Sequence, residues 1–345
     1  MLPHRSWKHR IWRDSALAIA AGVSTLLLSG RAGAMDLFVF HLDNPAGENH
    51  GYFRVGRDLQ ARGDARSWTP VQEVPFWFGS QDQGGDVAIA DIDGDRMRDL
   101  LVLHIDNPVG ENHGYYRVGW GIDAEGMATW GWSEPKAIPG WFGSEDQGAG
   151  IAAVDVNGSG RPDLVVLHID NPVGENHGYY RVGWDVDGAG TVASWSNVKP
   201  IPGWFGAETQ GAGLAIADLD RNDRPDLVVF HIDNPAGENH GHYRIGWNLD
   251  KSGNAKSWSS PKQVPGWFGA EDQGGGVALG DVDRDGRLDL LVFHIDNPGG
   301  ENHGYYRIGY RLSDAGNVTR GWTAPKQVAG WFGSEDQGGG IAISP

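Results

Sequence analysis

One sentence recurs five times along this chain. The segment His41-Leu42-Asp43-Asn44-Pro45-Ala46-Gly47-Glu48-Asn49-His50-Gly51-Tyr52 returns almost unchanged from His104, His168, His231 and His294. The steps between those histidines are 63, 64, 63 and 63 residues. A fixed period of this size marks one supersecondary unit stacked on copies of itself. Whatever chemistry the segment carries is then carried five times, which favours multivalent binding over a single active site.

Residues 1–34 read as a leader rather than as part of the repeat. Arg5, Lys8, Arg10 and Arg13 form a basic start, Ser15 to Gly30 is apolar, and Ala32-Gly33-Ala34 offers a small-residue cleavage site. That is the pattern of a secretory signal peptide, and the apolar run is shorter than the ~20 residues of a spanning helix. The expected product is a secreted, periplasmic or extracellular protein of residues 35–345, one domain and not embedded in a membrane. The leader carries a net charge of +4, so its removal takes the formal charge from −17 to −21. Nucleic acid, which demands a basic face, is excluded as a partner. The chain has no cysteine. An exported protein without disulfides relies on its core, on metal ions, or on both.

Each repeat reads as short strands parted by turn residues, without a helical period. In the second repeat the first strand is Val87-Ala88-Ile89-Ala90 and the second is Leu100-Leu101-Val102-Leu103-His104-Ile105. Tyr115-Tyr116-Arg117-Val118-Gly119-Trp120 alternates as a third strand, and Trp130 to Ile138 supplies an outer one, where Pro135 suits an edge. Four strands per repeat, arranged radially, make an all-β propeller. The chain ends predict closure. Gly339-Gly340-Ile341-Ala342-Ile343 is a first strand lacking a second, and Asp36-Leu37-Phe38-Val39-Phe40-His41 is a second strand lacking a first. Paired in one blade, they close a ring of five four-stranded blades.

Between the first and second strands lies a further repeated pattern, with side-chain oxygens at positions 1, 3, 5 and 9. It occurs as Asp91, Asp93, Asp95, Asp99; as Asp155, Asn157, Ser159, Asp163; as Asp218, Asp220, Asn222, Asp226; and as Asp281, Asp283, Asp285, Asp289. Alternate oxygens on a tight turn converge as calcium, with six to eight oxygen ligands, requires. The bland alternative is a set of Asx turns that cap themselves without metal. Constant spacing in four copies favours calcium at about four sites, in a structural role. The Asp155 turn has two carboxylates and should bind most weakly. Closure cuts the fifth turn, leaving Asp36 to match Asp99.

Here the chain resembles the FG-GAP, or integrin-α-like (VCBS-type), propeller repeat over nearly all of residues 35–345. The matching residues are Phe142-Gly143, Gly148-Ala149-Gly150, the aspartate turn and Asp163-Leu164-Val165-Val166, with Phe268-Gly269 and Asp289-Leu290-Leu291-Val292 in a later repeat. The resemblance implies a calcium-bearing propeller in an extracellular adhesion or carbohydrate-binding protein. Two departures stand out. The family's Gly-Ala-Pro element is Gly-Ala-Gly or Gly-Gly-Gly here, and the family more often shows seven blades.

Strand parity separates the loops into two faces. Aspartate turns and third-to-outer hairpins leave one face, and the hairpins vary, as Asp123-Ala-Glu-Gly-Met-Ala and Asp187-Gly-Ala-Gly show. The opposite face gathers Asp-Asn-Pro-x-Gly-Glu-Asn-His and the Trp-Phe-Gly segments, nearly identical in all five copies. Structural demand accounts for such constancy if the Asn-Pro and Gly fix turns and the polar groups cap backbone. The functional reading is five equivalent ligand sites. An indole ring matches the C–H face of a pyranose, and carboxylate, amide and imidazole groups match its hydroxyls. The stacking candidates are Trp77, Trp141, Trp204, Trp267 and Trp331, with wedging between blades as their alternative role. The hydroxyl-binding candidates are Glu48, Glu111, Glu175, Glu238 and Glu301 with His50, His113, His177, His240 and His303. Five weak sites on a rigid disc gain avidity on clustered glycans. Among integrin-like propellers, fungal lectins bind glycans in this way, so the resemblance makes this chain lectin-like.

Two rivals compete with a glycan-binding protein. An adhesion module binding cell-surface proteins would use the variable hairpins. An enzyme acting on polysaccharide would break the five-fold symmetry at a catalytic group. No repeat is expected to carry a unique carboxylate, and His242, in place of a tyrosine, is the one conspicuous oddity. No catalytic residue is assigned.

Overall fold

The computed structural model describes residues 35–43, 49–76, 78, 84–106, 112–140, 142, 148–170, 176–203, 205, 211–233, 239–266, 268, 274–296, 302–330, 332 and 338–344. The leader lies outside them. So do Trp77, Trp141, Trp204, Trp267 and Trp331, and Glu48, Glu111, Glu175, Glu238 and Glu301.

The described residues form five antiparallel sheets of four or five strands each. In the second blade the order from the axis outward is Gly85–Ala90, Asp99–Asp106, His113–Gly119 and Lys136–Ile138. The other inner strands are Ala149–Val154, Ala212–Ala217, Gly275–Gly280 and Gly339–Ser344. Each inner strand packs on the inner strands of both neighbours, and the last returns to the first. The ring is a closed five-bladed propeller. Its first blade joins the two ends: Asp36–Asp43 pairs antiparallel with Gly339–Ser344, with Val39 opposite Ile341.

The second strands explain why the sequence shows unbroken apolar runs there. All eight residues of Asp99–Asp106 are buried, as are those of Asp163–Asp170, Asp226–Asp233 and Asp289–Asp296. Each blade is covered on both sides by its neighbours, so neither parity is free to be polar. The core is accordingly five clusters at the blade junctions. At one junction Leu101, Leu103 and Val118 of the second blade meet Ile151, Leu164 and Val166 of the third. Burial of each such side chain contributes about 1.5–3 kcal/mol before entropic costs.

Phenylalanine wedges these junctions. Phe78, Phe142, Phe205, Phe268 and Phe332 are fully buried. Phe142 lies beneath Gly114, where an added Cβ would come within 2.5 Å of the ring. Its other side faces the next blade, with the His168 ring centroid at 4.8 Å and the Arg181 guanidinium at 5.6 Å. Arg181 also donates to the carbonyl of Pro139 in the preceding blade.

The variable hairpins latch the blades together. The hydroxyls of Tyr116, Tyr180 and Tyr243 donate to Gly190, Gly253 and Gly316 in the next blade at 2.8, 2.9 and 3.0 Å. Those glycines have φ of 73°, 73° and 69°, the left-handed region that only glycine enters freely. Hairpin sequences therefore vary around a fixed structural contact.

The outer strand departs from expectation. Trp130 to Ile138 is not one strand but a bridge between Gly119 and Trp132 followed by Lys136–Ile138. At the break, Ser133 Oγ accepts the Val118 N–H at 2.9 Å. The hydroxyl completes the ladder there, and the break does not depend on Pro135, since Val71 and Val198 stand at that position in two other blades. Thr69, Ser196, Ser259 and Thr323 do the same in the other blades.

Candidate functional sites on the two faces

The aspartate turns leave one face. Positions 4 and 6 of each turn are left-handed, as Gly94 and Arg96, Gly158 and Gly160, Arg221 and Asp223, and Arg284 and Gly286. Alternating left-handed residues curl the chain back on itself, and in three of the turns the position-1 and position-3 side chains come together. The turns also cap themselves. Asp91 accepts the Gly94 and Arg96 amides at 2.8 and 2.9 Å, Asp155 accepts the corresponding Gly158 and Gly160 amides, and Asp281 accepts those of Asp285 and Gly286. A carboxylate oxygen has a second lone pair, so self-capping and cation binding are compatible.

Three turns bring three carboxylates together with oxygens mutually within 4.8 Å: Asp91, Asp93 and Asp99; Asp218, Asp220 and Asp226; and Asp281, Asp283 and Asp285. These are groups that could hold metal ions. The Asp155 turn, with Asn157 and Ser159, falls short of three carboxylates. The position-9 residues also have a second role. Asp99 is fully buried, and its two oxygens accept the Ile92 and Gly121 amides at 2.8 and 2.9 Å. Asp163, Asp226 and Asp289 staple the same two segments of their own blades. Asp36 keeps one half of the staple, accepting the Asp58 amide at 2.9 Å. Burial pushes Asp226 and Asp289 up to about 6, against the pull of those amides.

The Asp281 turn carries its own cation. Arg320 Nη1 lies 2.6 Å from Asp283 and 3.0 Å from Asp285, and Arg311 reaches Asp285 at 3.8 Å.

On the opposite face the five repeated histidines occupy one register. His50, His113, His177, His240 and His303 each begin a third strand, opposite Asp43, Asp106, Asp170, Asp233 and Asp296. All five are partly exposed. His50 bonds Glu73 at 3.0 Å, and His240 and His303 bond Gln263 and Gln327 at 3.3 and 3.1 Å. In the other two blades the outer strand offers Ala137 and Pro200 at that register. The histidine is constant while its outer-strand partner is not.

Sequence reasoning passed over the ring beside it. Tyr52, Tyr115, Tyr179 and Tyr305 are partly exposed and lie two residues along the same strand face. Each stacks on a buried second-strand histidine, as Tyr115 does on His104 with centroids 5.5 Å apart. His242 takes that place on His231, also at 5.5 Å, so the one odd residue keeps the stack. His41, His104, His168 and His294 are held down to about 3, by burial first and then by the neighbouring arginine. Their Nδ1 atoms, with that of His231, have no hydrogen-bond partner among the described residues. The His-Gly-Tyr alternation was the signal for a half-exposed aromatic row.

Against protein-family models and curated proteins the chain has no match. It is a five-bladed propeller with repeated aspartate clusters.

One expectation is corrected by the alignment of inner strands. A unique carboxylate does exist: Asp86 stands where the other blades have Gly150, Gly213, Gly276 and Gly340. It is fully buried, so it does not meet a ligand at either face.

Proposed function

We propose that this chain is a secreted, multivalent carbohydrate-binding protein, of the FG-GAP or integrin-α-like kind, with five equivalent sites on the face opposite its aspartate turns. One observation carries the reading. Five histidines hold one register at the rim of that face, and two of them persist without the outer-strand partner that a purely structural role would preserve. Two further observations support it. Buried phenylalanines fill the wedge positions, which favours a role other than wedging for the tryptophans that precede them in sequence. Four of the five hairpins of the other face have a structural part in the tyrosine latches.

In this reading Trp77, Trp141, Trp204, Trp267 and Trp331 supply stacking surfaces, beside the partly exposed tyrosines. Glu48, Glu111, Glu175, Glu238 and Glu301 and the five histidines meet the hydroxyls. Calcium in the aspartate turns is structural, because those turns lie at the far ends of the strands. The test is a glycan array probed with the chain from residue 35 onward, before and after chelation. Binding to clustered glycans is expected, with chelation lowering thermal stability more than glycan affinity. No glycan signal, together with protein binding lost only on hairpin changes, would mark an adhesion module instead.

A further inference from the structure

Among the described residues, one register of the five inner strands holds a single side chain at the propeller axis. Asp86, Gly150, Gly213, Gly276 and Gly340 share a register, opposite Leu103, Leu167, Phe230, Phe293 and Phe40 of their own second strands. At the four glycines the backbones of successive blades touch. A Cβ on Gly150 would lie 2.8 Å from the Leu214 nitrogen, and one on Gly213 would lie 2.6 Å from the Val277 nitrogen. A Cβ on Gly276 would lie 2.8 Å from the Ile341 nitrogen, and one on Gly340 would strike Asp86 itself. The residue after each glycine thus turns its amide towards the axis. These contacts leave space for a single side chain, and Asp86 takes it.

What surrounds the Asp86 carboxyl is a set of donors. Oδ2 accepts the Ile151 N–H at 3.0 Å. Burial pushes the group well above the ordinary carboxylate range, and the amides of Ile151, Val87, Leu214 and Ile341 pull it back. Oδ1 is buried without a partner of full hydrogen-bond geometry. Inward-facing backbone amides from several strands form the kind of concavity that recognises anions elsewhere.

We propose that the axis is a carboxylate-binding site built from the inner-strand amides, and that Asp86 is its tethered ligand. Asp86 ties the second blade to the third, fourth and first from the inside, and it breaks the five-fold symmetry for that purpose. The vacated site in Asp86→Gly has the chemistry to take a small free carboxylate, with formate the closest in size. This inference is independent of the glycan reading, since the axial carboxyl is closed to both faces.

The test is thermal unfolding of the chain from residue 35 onward, as wild type, Asp86→Gly and Asp86→Asn, in a sodium formate series matched for ionic strength with sodium chloride. Asp86→Gly restores the residue that four sister strands carry, so its backbone is compatible with the fold. Its Tm is expected to drop and to recover saturably with formate, while the wild type shows no saturable response. If Asp86→Gly does not fold in buffer, its refolding yield in formate against chloride gives the same reading, and recovery in formate alone is expected. Asp86→Asn, equal in shape but with a donor in place of an acceptor, is expected to melt below the wild type. Equal response of wild type and Asp86→Gly to formate would overturn the site, as would no formate-dependent refolding. An Asp86→Asn melt equal to wild type would overturn the requirement for a carboxylate.

Discussion

The hydroxyl of Tyr306 donates to the carbonyl of Gly63 at 2.8 Å, across 243 residues of chain. It is the same latch that joins Tyr116 to Gly190, but here it joins the last blade to the first. The first blade lacks its own version, because Phe53 stands at that position. Tyr306→Phe should therefore cost about 1 kcal/mol, the net worth of a typical buried hydrogen bond. Phe53→Tyr should supply the missing latch and add a similar amount. Urea midpoints of the two variants check both signs.

Acid should unfold the ring early. The buried histidines are neutral in the folded chain, with His41, His104, His168 and His294 near 3 and His231 also well below its ordinary value. Their folded-state pKa is depressed, so the stability they contribute is complete above about 6.5 and is lost as the pH falls from there towards 3. Each costs about 1.4 kcal/mol per pH unit in that window, roughly 7 kcal/mol per unit for five. Asp226 and Asp289, raised to about 6, act in the opposite sense and gain as the pH falls through 6, offsetting part of the loss. Urea midpoints at pH 7.5, 6.5 and 5.5 should fall steeply below 6.5. A flat profile to pH 5 contradicts the burial of neutral imidazoles.

Calcium should raise stability, and with it Tm, saturably, by about 2.7 kcal/mol for each site at a hundredfold excess over its Kd. The Asp155 turn should fill last, and Ser159→Asp should strengthen it. Arg320 occupies the Asp283 and Asp285 carboxylates, so Arg320→Ala should tighten calcium at that turn. Calorimetric titration of the metal-free chain and the two variants resolves the order.

The contact between third-strand glycines and junction phenylalanines leaves no space for a methyl. Gly114→Ala would place Cβ 2.5 Å from Phe142, and Gly178→Ala 2.5 Å from Phe205. Each should cost about 1–3 kcal/mol through overpacking. Thermal melts of the two variants should show similar drops, since the junctions are equivalent.

The architecture was legible because the repeat is interrupted at a strand boundary. A first strand at residue 339 and a second strand at residue 36 have only each other to pair with. The aspartate turns were legible from spacing alone. The break in the outer strand was not, since Pro135 signals an edge but not the hydroxyl of Ser133 that repairs the ladder. Asp86 is not legible because the apolar run of the inner strand begins at Val87, one residue past the axis. Only the five inner strands laid in register show that glycine is the rule there. The half-exposed tyrosine row is not legible either, because alternation alone does not say which parity is half exposed.

The central claim is five equivalent glycan sites, and native mass spectrometry of the chain from residue 35 onward tests it most directly. Titrated with a monovalent form of an array-positive saccharide, the chain should show a ladder ending at five bound molecules with similar stepwise affinities. Replacing Trp141 and Glu111 together by alanine should shorten that ladder to four. A ladder ending at one, or no bound saccharide at any concentration tested, would contradict the account.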